Sequence, residues 1–244
     1  MKYQIYELHN VLRIIHLPSD TDVAHCGLFI NVGSRDERSN EKGIAHFVEH
    51  LMFKGTSKRK AFHILSRMDD SGGEINAYTS KEETCIHSSF LKHDYERSIE
   101  LMSDIIFHST FPGNEINKEK EVIIDEINSY KDTPSELIFD DFEEIVFSNQ
   151  NLGSNILGDP KLLRKFTRED IQQFVNRNYH PEKMVISSIG NISFQKLVHL
   201  INKYFGHFSS NPSKEKREPI NGYQPKNVTL QKNTNQVHSI IGNT

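Results

Sequence analysis

The chain has 244 residues, 36% of them apolar and 25% charged, the make-up of a water-facing globular protein with room for one large domain or two small ones. A net charge of −4 offers no basic surface for nucleic acid, and no run of about 18 apolar residues offers a membrane span. The N-terminus lacks the apolar core of a signal peptide, and Cys26 and Cys85 belong to no C-x-x-C pair; they read as buried thiols of a reducing compartment, so a cytoplasmic location is expected.

Residues 3–16 read as strands on either side of a turn at Asn10, and Val23 to Val32 is a β-branched and aromatic run that stops at Gly33 and Ser34. A polar loop over 34–42 leads into a helix expected to end near Lys54 and Gly55, glycine being favoured just past a helix C-terminus. Phe62 to Asp70 reads as a second helix. Gly72 and Gly73 then turn the chain into a hairpin-like pair, 74–79 and 84–90. Ile99, Met102, Ile105 and Ile106 give helical spacing between Asp94 and His108. Pro112 precedes a long helical stretch, Asn114 to about Tyr130, and another runs from Ser135 to about Phe147. Thr167 with Asp170 is a capping signature for a helix carrying Ile171, Phe174 and Val175. Met184 to Gly190 is a strand, and Ser193 caps a last helix through about Phe205. Strands in antiparallel-compatible groups separated by helix pairs predict an α+β fold, a mostly antiparallel sheet covered by helices on one face.

Composition divides the chain. Residues 1–208 hold the periodic segments and are expected to form one domain. Residues 209–227 contain Pro212, Pro219, Pro225 and a Lys/Glu/Arg cluster, and read as a linker. Residues 228–244 read as two strands with nothing to pack on, the start of a second, truncated domain; a short hairpin docked back on the main sheet is the alternative. Exposed Val237, Ile240 and Ile241 would give such a strand an edge for pairing with another copy, a route to a homodimer.

His46, Glu49 and His50 form the pattern H-x-x-E-H. Four residues apart on a helix, His46 and His50 share a face and can reach one ion, while Glu49 leans over the same point as a carboxylate base. Two nitrogen donors and a base around one point are the core of a zinc hydrolase, in inverted order from H-E-x-x-H. Chance alone yields roughly 0.06 such matches in this composition, so the motif needs support from its surroundings. A catalytic zinc site needs a third protein donor, and Glu115, Glu119, Glu121, Asp125 and Glu126 are candidates. Glu119 and Glu126 lie two helical turns apart on one stripe with Ile123 between them; spacing does not choose between the two. His16, His25, His87, His93, His108, His180 and His207 have no partner at donor spacing and read as surface or structural residues.

The motif with its flanks, Gly43, His46, Phe47, Glu49, His50, Phe53, Lys54, Gly55 and Thr56, resembles the inverted-motif zinc peptidases that include mitochondrial processing peptidase, insulin-degrading enzyme and pitrilysin. Further blocks match the shorter, bacterial and mitochondrial-type branch in order and spacing. They are Gly33 to Glu37; Gly72, Gly73, Asn76, Ala77, Thr79, Ser80, Glu82 and Thr84; Glu119, Val122, Glu126 and Ile127; Leu157 and Gly158; and Tyr179 with Pro181. The resemblance implies Glu126 as the third zinc donor, Glu119 as the acid that orients the site, Glu49 as general base and one Zn2+ per chain. It also implies a peptide substrate and a second homologous half or subunit closing over the first, with the present chain as the N-terminal half. Asn76, Ala77, Tyr78 and Thr79 are expected to form a sheet edge on which a substrate peptide adds as a strand, with Tyr78 lining a side-chain pocket. Two other functions compete: a non-catalytic partner subunit of a two-component peptidase, which would normally have lost motif residues, and a small-molecule zinc lyase.

Overall fold

Alternating burial along the strands sets the sheet. In β2 (Arg13–Pro18) Ile14 and His16 are buried while Arg13 and Ile15 face out. The computed structural model describes residues 2–148, 150–211, 217–220, 222, 224–232 and 235–243. With β1 (Gln4–Glu7), β3 (Val23–Ile30), β4 (Glu74–Thr79), β5 (Thr84–Leu91) and β6 (Met184–Gly190), the strands form one six-stranded sheet in the order β1-β2-β6-β3-β5-β4. All neighbours are antiparallel except β2 and β6, which run parallel, so the sheet is mixed but mostly antiparallel, as expected.

The register aligns one apolar row across five strands: Ile14, Ile186, Leu28, Ile86 and Ala77. That row faces the helices α1 (Ile44–Met52), α2 (Ala61–Asp69), α3 (Tyr95–His108), α4 (Gly113–Lys131), α5 (Pro134–Val146), α6 (Pro160–Leu163), α7 (Arg168–Asn178) and α8 (Phe194–Phe205). Phe47 and Leu51 of α1, Ile105 of α3, Ile123 of α4, Phe174 of α7 and Ile201 of α8 join the sheet residues in one continuous core. On the other face Ile15 and Ile189 remain exposed. The α+β prediction holds, and the long elements fall where periodicity placed them; Thr167 and Asp170 form the expected capping box of α7.

Three segments depart from expectation. Helix α1 stops at Met52, and Gly55, at φ +147°, pairs instead with Lys60 in a short bridge that turns the chain into α2. The segments 228–231 and 236–242 form no strand among the described residues. A strand persists only where a neighbour completes its ladder and covers a face; Val237 and Ile241 are 98% and 100% exposed. Within the segment read as a linker, Arg217 is ion-paired to Asp36.

Candidate metal centre

Helix α1 begins at Gly43, whose φ of +93° is a left-handed conformation that glycine adopts without strain. Gly158, also left-handed, lies against it: a Cβ on Gly158 would come within 2.4 Å of the Gly43 Cα. The start of the helix is fixed by a distant carboxylate. Glu37, 1% exposed, accepts the N–H groups of Gly43 and Ala45 at 3.0 and 2.9 Å. Its two oxygens thereby satisfy N–H groups that have no carbonyl partner within the helix. Burial pushes the Glu37 carboxyl up to about 8 even though the two N–H groups favour its ionised form.

The same helix carries His46 and His50 side by side, ring centroids 4.6 Å apart. Helix α4 packs across α1 and brings two carboxylates to them. Glu126 Oε2 lies 3.9 Å from His46 Nε2 and 3.7 Å from His50 Nε2. The three donor atoms lie within 4.8 Å of one another. Donors around tetrahedral zinc sit about 3.4 Å apart, so the two Glu126 contacts need to shorten by about 0.5 and 0.3 Å and the widest separation by up to about 1.4 Å, a closure within reach of side-chain rotation. Burial, and next the neighbouring His50, hold His46 down at about 4, leaving a neutral imidazole able to donate a lone pair at neutral pH. Its Nδ1 is buried without a hydrogen-bond partner among the described residues.

Glu119 does something different. Its Oε2 lies 3.1 Å from His50 Nδ1, and its Oε1 accepts Lys54 Nζ at 2.6 Å. A proton on Nδ1, donated to Glu119, leaves Nε2 free to face Glu126, which is how an outer carboxylate sets a donor's tautomer and direction. Glu49 is half-buried beside the pair. Burial raises its carboxyl, while Thr79 and His50 pull it down. Glu49, His50 and Glu119 open on a cleft of about 380 Å³ walled by Phe53, Leu65 and Asn76.

Strand β4 is an edge, bonded to β5 alone. Ala77 N–H turns away from β5 and donates to its neighbour's Asn76 Oδ1 at 2.8 Å. The Tyr78 hydroxyl donates to Glu83 at 2.9 Å and its ring lies beside His87, and Tyr78 does not wall the cleft. Of the remaining histidines, His16 is buried and bonded to Ser188, and among the described residues none joins a three-donor group. Lys54, Glu37, Gly43 and Gly158 all stand in the blocks that carry the resemblance, but the sequence reading gave them no role. The contacts of Glu37 with Gly43 and Ala45, and the Gly43–Gly158 approach, carried no signal of their own, because those pairings are set by the fold.

Residues 14–160 match the insulinase model of peptidase family M16, and residues 165–243 match the model of the M16 inactive domain. The chain belongs to peptidase family M16. Its second match begins inside the fold described above, since β6 sits at the centre of the sheet. Among family relatives, the chain is 36% identical over 239 residues to the uncharacterized zinc protease YmxG of Bacillus subtilis, covering 97% of this chain and 58% of that one. It is 36% identical over 194 residues to the mitochondrial-processing peptidase subunit beta of Saccharomyces cerevisiae, covering 80% of this chain and 42% of that one. Its fold superposes on the periplasmic protease PqqL of Escherichia coli with a TM-score of 0.83 at 26% identity, covering 90% of this chain and 25% of PqqL. The chain thus spans about half the length of the curated relatives it matches. No helix among the described residues is long and apolar enough to cross a membrane.

Proposed function

We propose that this M16 chain is the zinc-binding half of a metalloendopeptidase acting on peptides or unfolded protein segments. The observation that carries this reading is the convergence of His46, His50 and Glu126, with His50 and Glu49 in the wall of an open cleft. One zinc ion held by those three residues would bring the pKa of a water from roughly 16 toward about 7 and polarise a scissile carbonyl. Glu49 takes the proton of the attacking water as general base and returns it to the leaving amine. Its burial makes it a stronger base than a free carboxylate. Glu119 keeps His50 in the donating tautomer, with Lys54 neutralising it from behind.

The substrate backbone adds to the free side of β4 at Asn76, Ala77 and Tyr78. Asn76 Oδ1 holds the Ala77 N–H that a substrate carbonyl would take over. Residues 1–208 form the catalytic domain, 209–227 the linker, and 228–244 the start of a second homologous domain. That second half, on a longer chain or a separate subunit, completes the cleft and stabilises the carbonyl oxygen, a contribution often worth ~3 kcal/mol. A cytoplasmic location accords with the buried free thiols of Cys26 and Cys85.

A non-catalytic partner subunit is the second reading, favoured by the inactive-domain match over residues 165–243. Retention of His46, Glu49, His50, Glu119 and Glu126 weighs against it. Zinc content and peptide hydrolysis of full-length variants separate the readings. Glu49→Gln is expected to lose hydrolysis and keep zinc, because the amide has the carboxylate's shape but accepts no proton, while His50→Ala loses the metal. Comparable zinc loss in both would make Glu49 a donor rather than a base. Zinc-loaded wild type that cuts no peptide would favour the partner subunit.

A further inference from the structure

The block Gly33 to Glu37 supplies no donor to the metal cluster, yet three parts of the molecule are tied together there. It runs along the β4–β5 turn, where Ser34 and Arg35 donate their N–H groups to the carbonyls of Ser80 and Lys81 at 3.2 and 2.8 Å. A Cβ on Gly33 would meet the Ser80 carbonyl oxygen at 2.4 Å, so the approach requires glycine. At its other end Glu37 holds the first turn of α1. The third tie comes from the linker. The Arg217 guanidinium forks onto Asp36, Nε to Oδ1 at 3.0 Å and Nη2 to Oδ2 at 2.7 Å, and also donates to the Glu82 carbonyl. Arg35 donates in turn to the Glu82 carboxylate at 2.6 Å and to the Glu218 carbonyl. The Asp36 carboxylate meanwhile accepts the Gly33 N–H at 2.9 Å.

A lone surface ion pair would mean little. Here the side chains of Arg217 and Asp36 are only 24% and 14% exposed, the contact is bidentate, and one guanidinium bridges two separate loops. We propose that Arg217 anchors the linker to the scaffold of the metal site, making Asp36 and Glu82 a fixed pivot at the Thr79 end of the edge strand. Sequence beyond the linker is then presented from that end of β4, and a pull on the linker is felt by the turn that holds the strand. Presentation of a second half rests on the function proposed above; the anchoring does not.

The test uses the 244-residue chain and needs no turnover. Limited subtilisin digestion and amide hydrogen exchange are followed in wild type, Arg217→Ala, Arg217→Lys and, as a control for losing any surface ion pair, Lys203→Ala. Arg217→Ala is expected to speed cleavage within 209–227 about tenfold and to raise exchange at 33–36 and 80–84. Zinc content, exchange in α8 and a thermal midpoint within about 2 °C of wild type should be retained. Arg217→Lys, which keeps the charge without the fork, should recover only part of the protection, and Lys203→Ala should leave the linker as in wild type. Linker cleavage equal in Arg217→Ala and wild type, or full protection in Arg217→Lys, would overturn the anchor.

Discussion

Replacing Glu119 by alanine removes the acceptor behind His50 while leaving His46, His50 and Glu126 in place. The carboxylate is 6% exposed and makes two charge-assisted contacts, 3.1 Å to His50 Nδ1 and 2.6 Å to Lys54 Nζ. Lys54 keeps 30% of its side-chain surface in water, so it loses little on being freed, and the cost falls mainly on His50. Losing one hydrogen bond to a charged group costs about 1.5–3 kcal/mol, and loss of such outer partners typically weakens metal binding 10- to 100-fold. Zinc affinity of Glu119→Ala should therefore fall by about 30- to 100-fold, and that of Glu119→Gln, which retains an uncharged acceptor, by about tenfold. Competition with a chromophoric chelator at pH 7.5 measures both. Glu119→Ala binding zinc within twofold of wild type, or Glu119→Gln binding more weakly than Glu119→Ala, would refute an orienting role for this carboxylate.

Glu37 makes stability depend on pH. Burial raises its carboxyl from 4.5 to about 8, so the folded chain holds that proton more tightly than the unfolded chain, and the resulting stabilisation is lost as pH rises between those values. Denaturant unfolding of the metal-free chain at pH 5, 6.5 and 8 should show a shallower decline for Glu37→Gln than for wild type; parallel curves would show that Glu37 is already ionised at pH 5. Two glycine-to-alanine changes at similar φ, +78° at Gly158 and +74° at Gly72, separate strain from collision. Gly72→Ala, facing open space, should cost about 1 kcal/mol, and Gly158→Ala, driven into Gly43, about 3 kcal/mol or more by urea midpoint; equal costs would mean that the Gly43–Gly158 contact is not tight in solution. The 244-residue chain should cleave peptides far more slowly than a longer product carrying the second half, and equal turnover would make that half dispensable.

The elements that could be read ahead of the structure are those whose signal is local. Period-two burial in β2 and β6, the spacing of Ile99 to Ile106 in α3 and the Thr167 cap all depend on neighbours a few residues away. The two histidines were legible for the same reason, since i and i+4 share a helix face. Spacing left Glu119 and Glu126 equivalent, and resemblance to known peptidases was needed to separate them; their different distances to the two nitrogens of His50 arise from how α4 crosses α1. Propensity misled at 228–242, where β-branched residues promised strands but the chain offers them no ladder. The anchoring of Arg217 was equally hidden, because its partner lies 181 residues away.

Strand β6 enters the sheet between β2 and β3, and its residue Ile186 sits beside Ile14. During synthesis every donor of the metal cluster has been made once Glu126 has emerged, yet the middle of the sheet is still missing. Until residues 184–190 arrive, β2 and β3 each present an unpaired edge, and Ile186 is missing from between Ile14 and Leu28, a state open to mispairing with other chains. Contacts of such long sequence separation make closure slow, since the loop entropy is lost before any pairing offsets it. On a ribosome, then, the proposed donors precede their scaffold: a nascent chain carries His46, His50 and Glu126 before it has the sheet that fixes where they point.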